Sequence, residues 1–98
     1  MKKIITTHLR GTLTNNVNQP LKNAEILIEM TDADDSFAGL STSAFTDKNG
    51  NYDFKIQGGY YNIYLIPTED DIRVKLGKIH VTEKDFNTLY TLEELLDK

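Results

Sequence analysis

Asp47, Asn49 and Asn51 alternate through "TDKNGNY", and oxygen-bearing side chains at every second position are how a calcium loop begins. A helix–loop–helix calcium site also needs Gly at its sixth position and a bidentate Glu at its twelfth. Counted from Asp47, those positions hold Tyr52 and Gly58, so the ring of oxygens does not close. The same residues fit an Asx turn, in which short polar side chains accept nearby backbone amides. Two acidic runs, Asp32-Asp34-Asp35 and Glu69-Asp70-Asp71, offer a second place for a cation if their loops meet, although solvated loop ends are the simpler reading. His8 and His80 fall on outward strand phases, and two imidazoles make an incomplete zinc site. Ser36, Ser41 and Ser43 sit in no Gly-x-Ser-x-Gly turn. Gly58-Gly59 precedes a strand where a phosphate cradle would precede a helix. The expectation is therefore no catalytic residue, no metal and no cofactor: not an enzyme. What remains is Tyr60 and Tyr64 on the outward face of one strand, either a patch for sugar or protein or a pair packed across strands.

The elements that carry these residues are mostly strands. Ile5, Thr7, Leu9, Gly11 and Leu13 share one face and Thr6, His8, Arg10 and Thr12 the other, a period of two. Pro20 and the surrounding Asn residues break that run. Ala24, Ile26, Ile28 and Met30 then point inward, with Glu25 and Glu29 outward. A polar acidic loop leads to a short strand near 41–46, and Asn49-Gly50 reads as a hairpin turn with positive φ at both central residues. Tyr52, Phe54 and Ile56 alternate after it, Gly58-Gly59 turns the chain, and Tyr61, Ile63 and Leu65 form the next inward set. Ile72, Val74 and Leu76 are followed by Ile79 and Val81, so the inward phase slips by one residue at Gly77, as at a bulge. Leu89, Leu92 and Leu96 recur at helical spacing, and Thr91 with Glu94 makes a capping box. These phases predict a core of Leu9, Leu13, Ile26, Ile28, Tyr52, Phe54, Ile63, Leu65 and Val81, with Tyr61 partly buried.

The chain has 98 residues, one domain's length, and no cysteine for a disulfide or thiolate site. Eleven Lys plus Arg against fifteen Asp plus Glu give a net charge of −4, which argues against a nucleic-acid binder. No apolar run is long enough for a membrane span or a signal peptide, so the expectation is a chain made and used in a cytoplasm or released from one by lysis. Short strands separated by turns predict an all-β, antiparallel β-sandwich of about seven strands with a short C-terminal helix. The expected division is a sandwich over 1–87 and a helical segment over 88–98.

Pro20, Leu21 and Ala24, then Thr46, Asp47, Gly50 and Tyr52, then Gly59, Tyr61 and Ile63 follow the pattern of the transthyretin-like modules called carboxypeptidase regulatory-like or collagen-adhesin B-type domains. Asn18 stands where that pattern usually has its first Gly. With Leu9, Gly11 and Leu13 ahead, Gly77, Ile79 and Val81 behind, and Thr88, Leu89 and Leu92 at the end, the chain is similar over nearly its whole length to the N-terminal domain of lambda-like prophage side tail fibres. The collagen-adhesin branch forms an internal isopeptide bond assisted by a buried Glu. Leu65 occupies that Glu position here, and the first strand offers no Lys before the turn, which argues against such a bond.

The resemblance implies a transthyretin-like (prealbumin/Ig-like) sandwich and a virion structural protein that attaches a fibre or appendage to the tail tip or baseplate. It further implies a tail-tip or baseplate partner, a homo-oligomer (trimer or ring) in the virion, synthesis in the host bacterial cytoplasm, and neither nucleic-acid binding nor membrane insertion. Tyr60, Tyr64, Leu89, Leu92 and Leu96 are the candidate interaction surface, the leucines where a shaft would begin. The rival reading is a carbohydrate- or protein-binding module of the carboxypeptidase regulatory-like type.

Overall fold

The computed structural model describes residues 5–15, 17–32, 34, 39–67 and 72–97. Seven strands run in chain order: β1 (Thr6–Thr12), β2 (Glu25–Thr31), β3 (Ser41–Phe45), β4 (Asn51–Gln57), β5 (Gly59–Ile66), β6 (Val74–Val81) and β7 (Leu89–Tyr90). A 3₁₀ turn at Glu83–Asp85 precedes β7, and one helical turn, α1 (Leu92–Leu96), follows it. The strands form two sheets, β4-β1-β7 and β3-β2-β5-β6. The result is a mostly-β, sandwich-like domain of three plus four strands with a short C-terminal helix. One pair breaks the all-antiparallel expectation: β7 runs parallel to β1, pairing His8 with Leu89 and Leu9 with Tyr90. The strand order also differs from an immunoglobulin constant domain, where the first strand neighbours the second. Here β1 lies between β4 and β7, while β2 lies between β3 and β5.

Period-two alternation supplies both inner faces. Leu9, Leu13, Tyr52 and Ile56 come from the smaller sheet and its margin, and Ile26, Ile28, Tyr61, Ile63, Ile79 and Val81 from the larger. Thr7 is the polar exception on the inner phase of β1, and its hydroxyl donates to the Thr88 carbonyl at 2.9 Å. Three core expectations need correcting. Phe54 and Leu65 are only partly buried, whereas Tyr61 is fully buried, its hydroxyl donating to the Gln57 carbonyl. Inward phase also fails at strand ends, where the opposite sheet no longer covers it: Ile5, Met30, Ile72 and Val74 are exposed.

The Asn49-Gly50 pair is not a hairpin between paired neighbours. β3 pairs with β2 and β4 with β1, so this turn carries the chain from one sheet to the other. Only Gly50 of the two takes positive φ, at 77°. The phase slip at Gly77 is a bulge, since Ile63 pairs with Gly77 and Tyr64 with Lys75, leaving Leu76 out of register.

The segment from Thr88 also departs from the helical expectation. Leu89 belongs to β7 and is exposed, and the helix is confined to Leu92–Leu96. The capping box is present: Thr91 Oγ1 accepts from the Glu94 amide and Glu94 Oε1 from the Thr91 amide. A five-residue helix has no stability of its own, so burial must hold it. Leu92 and Leu95 supply that burial in the domain's own core, and Leu96 packs on Gly77. The expected stripe Leu89-Leu92-Leu96 is therefore not one exposed seam.

Candidate functional site

The residues that looked able to hold a cation form a joint. Asp47 Oδ1 accepts the amides of Asn49 at 2.8 Å and Asn51 at 3.0 Å. Those amides, Asn51's first, hold its carboxyl below the ordinary value of 3.8. Its oxygen therefore faces its own backbone, as an Asx turn requires. Thr46, beside it and buried, accepts the Ala24 amide at 2.8 Å and donates to the Leu21 carbonyl. Gly50 completes the joint. Its amide donates to the Asp47 carbonyl, and its own carbonyl accepts the Leu13 amide at 2.9 Å. A Cβ on Gly50 would lie 2.6 Å from the Leu13 carbonyl oxygen and 3.0 Å from Pro20. Pro20, Leu21, Ala24, Thr46, Asp47 and Gly50 are thus one packed corner that links β1, β2, β3 and β4. Asn18, in place of the usual Gly, has φ 61°, a left-handed conformation that Asn tolerates far better than most residues.

Tyr52 extends this corner to the C-terminus. Its ring passes beneath Gly11, where a Cβ would meet the hydroxyl at 2.7 Å. The hydroxyl accepts the Leu92 amide at 2.7 Å, satisfying one of the orphan N–H groups at the start of α1. Burial pushes the Tyr52 phenol above its ordinary value. Tyr52→Phe leaves the buried Leu92 amide without that acceptor and is expected to cost about 1–3 kcal/mol. Amide exchange should read the loss first in residues 92–96, and unchanged protection there would contradict this role.

Asp85 does similar work one turn earlier. It is buried, accepts the Thr82 amide at 2.9 Å through Oδ2, and accepts the Tyr90 hydroxyl at 2.9 Å through Oδ1. Sequence reading passed over it because it lies between elements, where no period marks a residue as internal.

Beside the corner, Arg10, Thr12, Phe45, Asp47, Asn51 and Asp53 line an open groove of about 490 Å³. On the same outer face of β1 and β4, His8 Nε2 donates to Asp53 Oδ1, and Arg10 Nε lies 3.8 Å from Asp53 Oδ2. The His8 hydrogen bond is the main reason that the Asp53 carboxyl titrates below its ordinary value. Among the described residues, no three His, Cys, Asp or Glu side chains converge on a point where a metal would sit. Asp35 and Glu69-Asp70-Asp71 lie outside the described residues, as does Ser36. Ser41 and Ser43 are exposed on β3, and Ser43 donates to Glu25 at 2.6 Å.

His80 lies on the other sheet from His8 and stacks flat on Tyr60, with ring centroids 3.8 Å apart and planes at 7°. Tyr60 and Tyr64 share the outer face of β5, as expected, and both are half-buried. Lys78 Nζ lies 5.5 Å from the Tyr60 ring centre, and the Arg73 guanidinium lies 4.4 Å over Tyr64. Of the candidate surface residues, Tyr60 and Tyr64 lie on this face, and Leu89 is exposed on the other sheet. Leu92 is inside the domain and Leu96 half-covered.

Fold and site together define a sandwich-like domain whose motif residues are hydrogen-bonded into one corner and whose outer faces carry polar and aromatic side chains. The sequence matches no family model and no curated protein.

Proposed function

We propose that this chain is the attachment domain of a phage or prophage tail fibre, a transthyretin-like sandwich that joins a fibre or fibre-like appendage to the tail tip or baseplate. One observation carries the reading. The Tyr52 hydroxyl, lying against Gly11 of the first strand, ties this part of the pattern shared by many sandwiches to Leu92 of the terminal Thr-Leu segment that distinguishes the tail-fibre branch. The feature that makes the resemblance specific is thus bonded to those that make it general. The strand order β4-β1-β7 over β3-β2-β5-β6 supports the transthyretin-like form of the sandwich. Because Leu92 and Leu95 are used within the domain, attachment runs through the outer faces, with Leu89 the exposed leucine beside His8.

The rival is a carbohydrate- or protein-binding module that uses Tyr60, Tyr64 and the acidic loops, and its carbohydrate form rests on the two tyrosines. His80 and Arg73 already lie against those rings, and a sugar stacking there has to displace them. That favours a protein partner. The test is co-sedimentation of the purified chain with tails assembled without fibres. Saturable binding to such tails is the expected result. Binding to soluble glycans with no retention on tails would overturn the proposal in favour of its rival.

A further inference from the structure

The outer face of β2, β5 and β6 is divided by charge. The cross-strand rows read Thr31–Tyr60–His80, then Glu29–Asn62–Lys78, then Leu27–Tyr64–Lys75, with Glu25 beside Ile66 at the next row. Arg73, one residue before β6, reaches back over Tyr64. Carboxylates therefore stand on β2 on either side of partly covered Leu27, cations on or beside β6, and two tyrosines with buried Asn62 and partly covered Ile66 on β5 between them. The bulge creates this partition. Lys75 and Lys78 are three residues apart, which simple alternation would send to opposite faces; with Leu76 out of register they pair with Tyr64 and Asn62 on the same one.

We propose that this face pairs with the same face of a second copy of the chain. The inference is independent of the tail-fibre reading. A two-fold axis along β5 places β2 of one copy over β6 of the other, and it does so twice, as an isologous contact must. Rows are preserved by that rotation. Glu29 then faces the partner's Lys78, and Glu25 faces the level of the partner's Arg73. Tyr60 and Tyr64 meet their own counterparts along the axis. Sheets packed face to face lie about 10 Å apart, a gap that a glutamate and a lysine or arginine together span. The opposite arrangement, with the axis across the strands, sets cation on cation and is disfavoured. A second copy is the occupant whose charge pattern is known to match, stripe against stripe.

Three strands about 4.8 Å apart and seven residues of about 3.4 Å present roughly 14 by 24 Å per copy. This is smaller than a standard interface. The dimer is accordingly weak and is loosened by salt.

The test uses sedimentation equilibrium on the full chain and two charge-reversed variants, Glu25→Lys with Glu29→Lys and Arg73→Glu with Lys78→Glu. Thermal melts establish that both are folded. Each variant alone should associate about tenfold more weakly than the native chain. An equimolar mixture of the two should regain native affinity, because every reversed contact then meets its reversed complement. A native chain that stays monomeric at millimolar concentration overturns the proposal. So does a mixture that fails to recover, or a glutamate reversal that strengthens association, which would place the acidic partner surface elsewhere.

Discussion

Ile26→Ala is expected to lower the free energy of unfolding by about 2–5 kcal/mol. Ile26 is fully buried near the start of β2, flanked by Ala44 and Leu65 on the neighbouring strands, so the neighbours have little room to close the cavity. A domain of this size has on the order of 5–10 kcal/mol in total, and the variant approaches the threshold of folding at physiological temperature. Phe54→Ala, equal to it on sequence grounds, should cost less, because Phe54 is only partly buried and meets Tyr52 at a tilted 5.8 Å. Urea denaturation of both variants gives the comparison. Equal losses would mean that the β4 register places Phe54 deeper than the structure has it.

Gly50→Ala is expected to be comparably severe for a different reason. A side chain at φ 77° costs about 1–2 kcal/mol by conformation alone. The new Cβ would also press on the Leu13 carbonyl, a backbone atom that cannot rotate away and that accepts the Leu21 amide. Relief requires opening the corner at which β1, β2 and β4 are joined. The variant should therefore lose protection at the Leu13, Leu21 and Ala24 amides together. A variant with a native melting temperature would show that the corner is looser than its hydrogen bonds indicate.

The Asx turn at Asp47 makes two further predictions. Its carboxyl is depressed in the folded chain, so its contribution is present above the unfolded value near 3.8 and is lost as pH falls below that toward the folded value. Asp53 acts in the same direction through His8. Urea midpoints for the native chain and Asp47→Asn should differ at neutral pH and converge at acid pH; a constant difference would contradict the linkage. EDTA should leave the melting temperature unchanged, whereas marked stabilisation by millimolar calcium would restore the metal reading.

Much of the frame was legible because its signals are local. The alternation of Leu9 with His8 and Arg10, of Tyr61 and Ile63 with Tyr60, and the Thr91–Glu94 capping box each lie within a few residues, and each stands as expected. The phase slip at Gly77 was visible for the same reason. Pairing was not. Asn49-Gly50 specifies a turn, but nothing in its own chemistry says that the strands beside it belong to different sheets. β7 was invisible because two residues have no period, and its place is set by β1, some eighty positions earlier. The leucine spacing misled in part because Leu89 is claimed by that strand pairing before the helix begins. At the candidate site the outward tyrosines could be read from phase. The neighbours that cover them could not, since His80 arrives from β6 and Arg73 from just before it, on opposite sides of the bulge.

The central claim is that this sandwich is a component of a tail, and gold-labelled antibody on induced particles tests it most directly. Particles released from a bacterium carrying the gene are labelled with antibody against the folded chain and viewed by negative-stain electron microscopy. The account predicts label clustered at the tail tip or baseplate, abolished when the gene is deleted. Particles that remain unlabelled, while the chain is recovered in the particle-free supernatant, would contradict it.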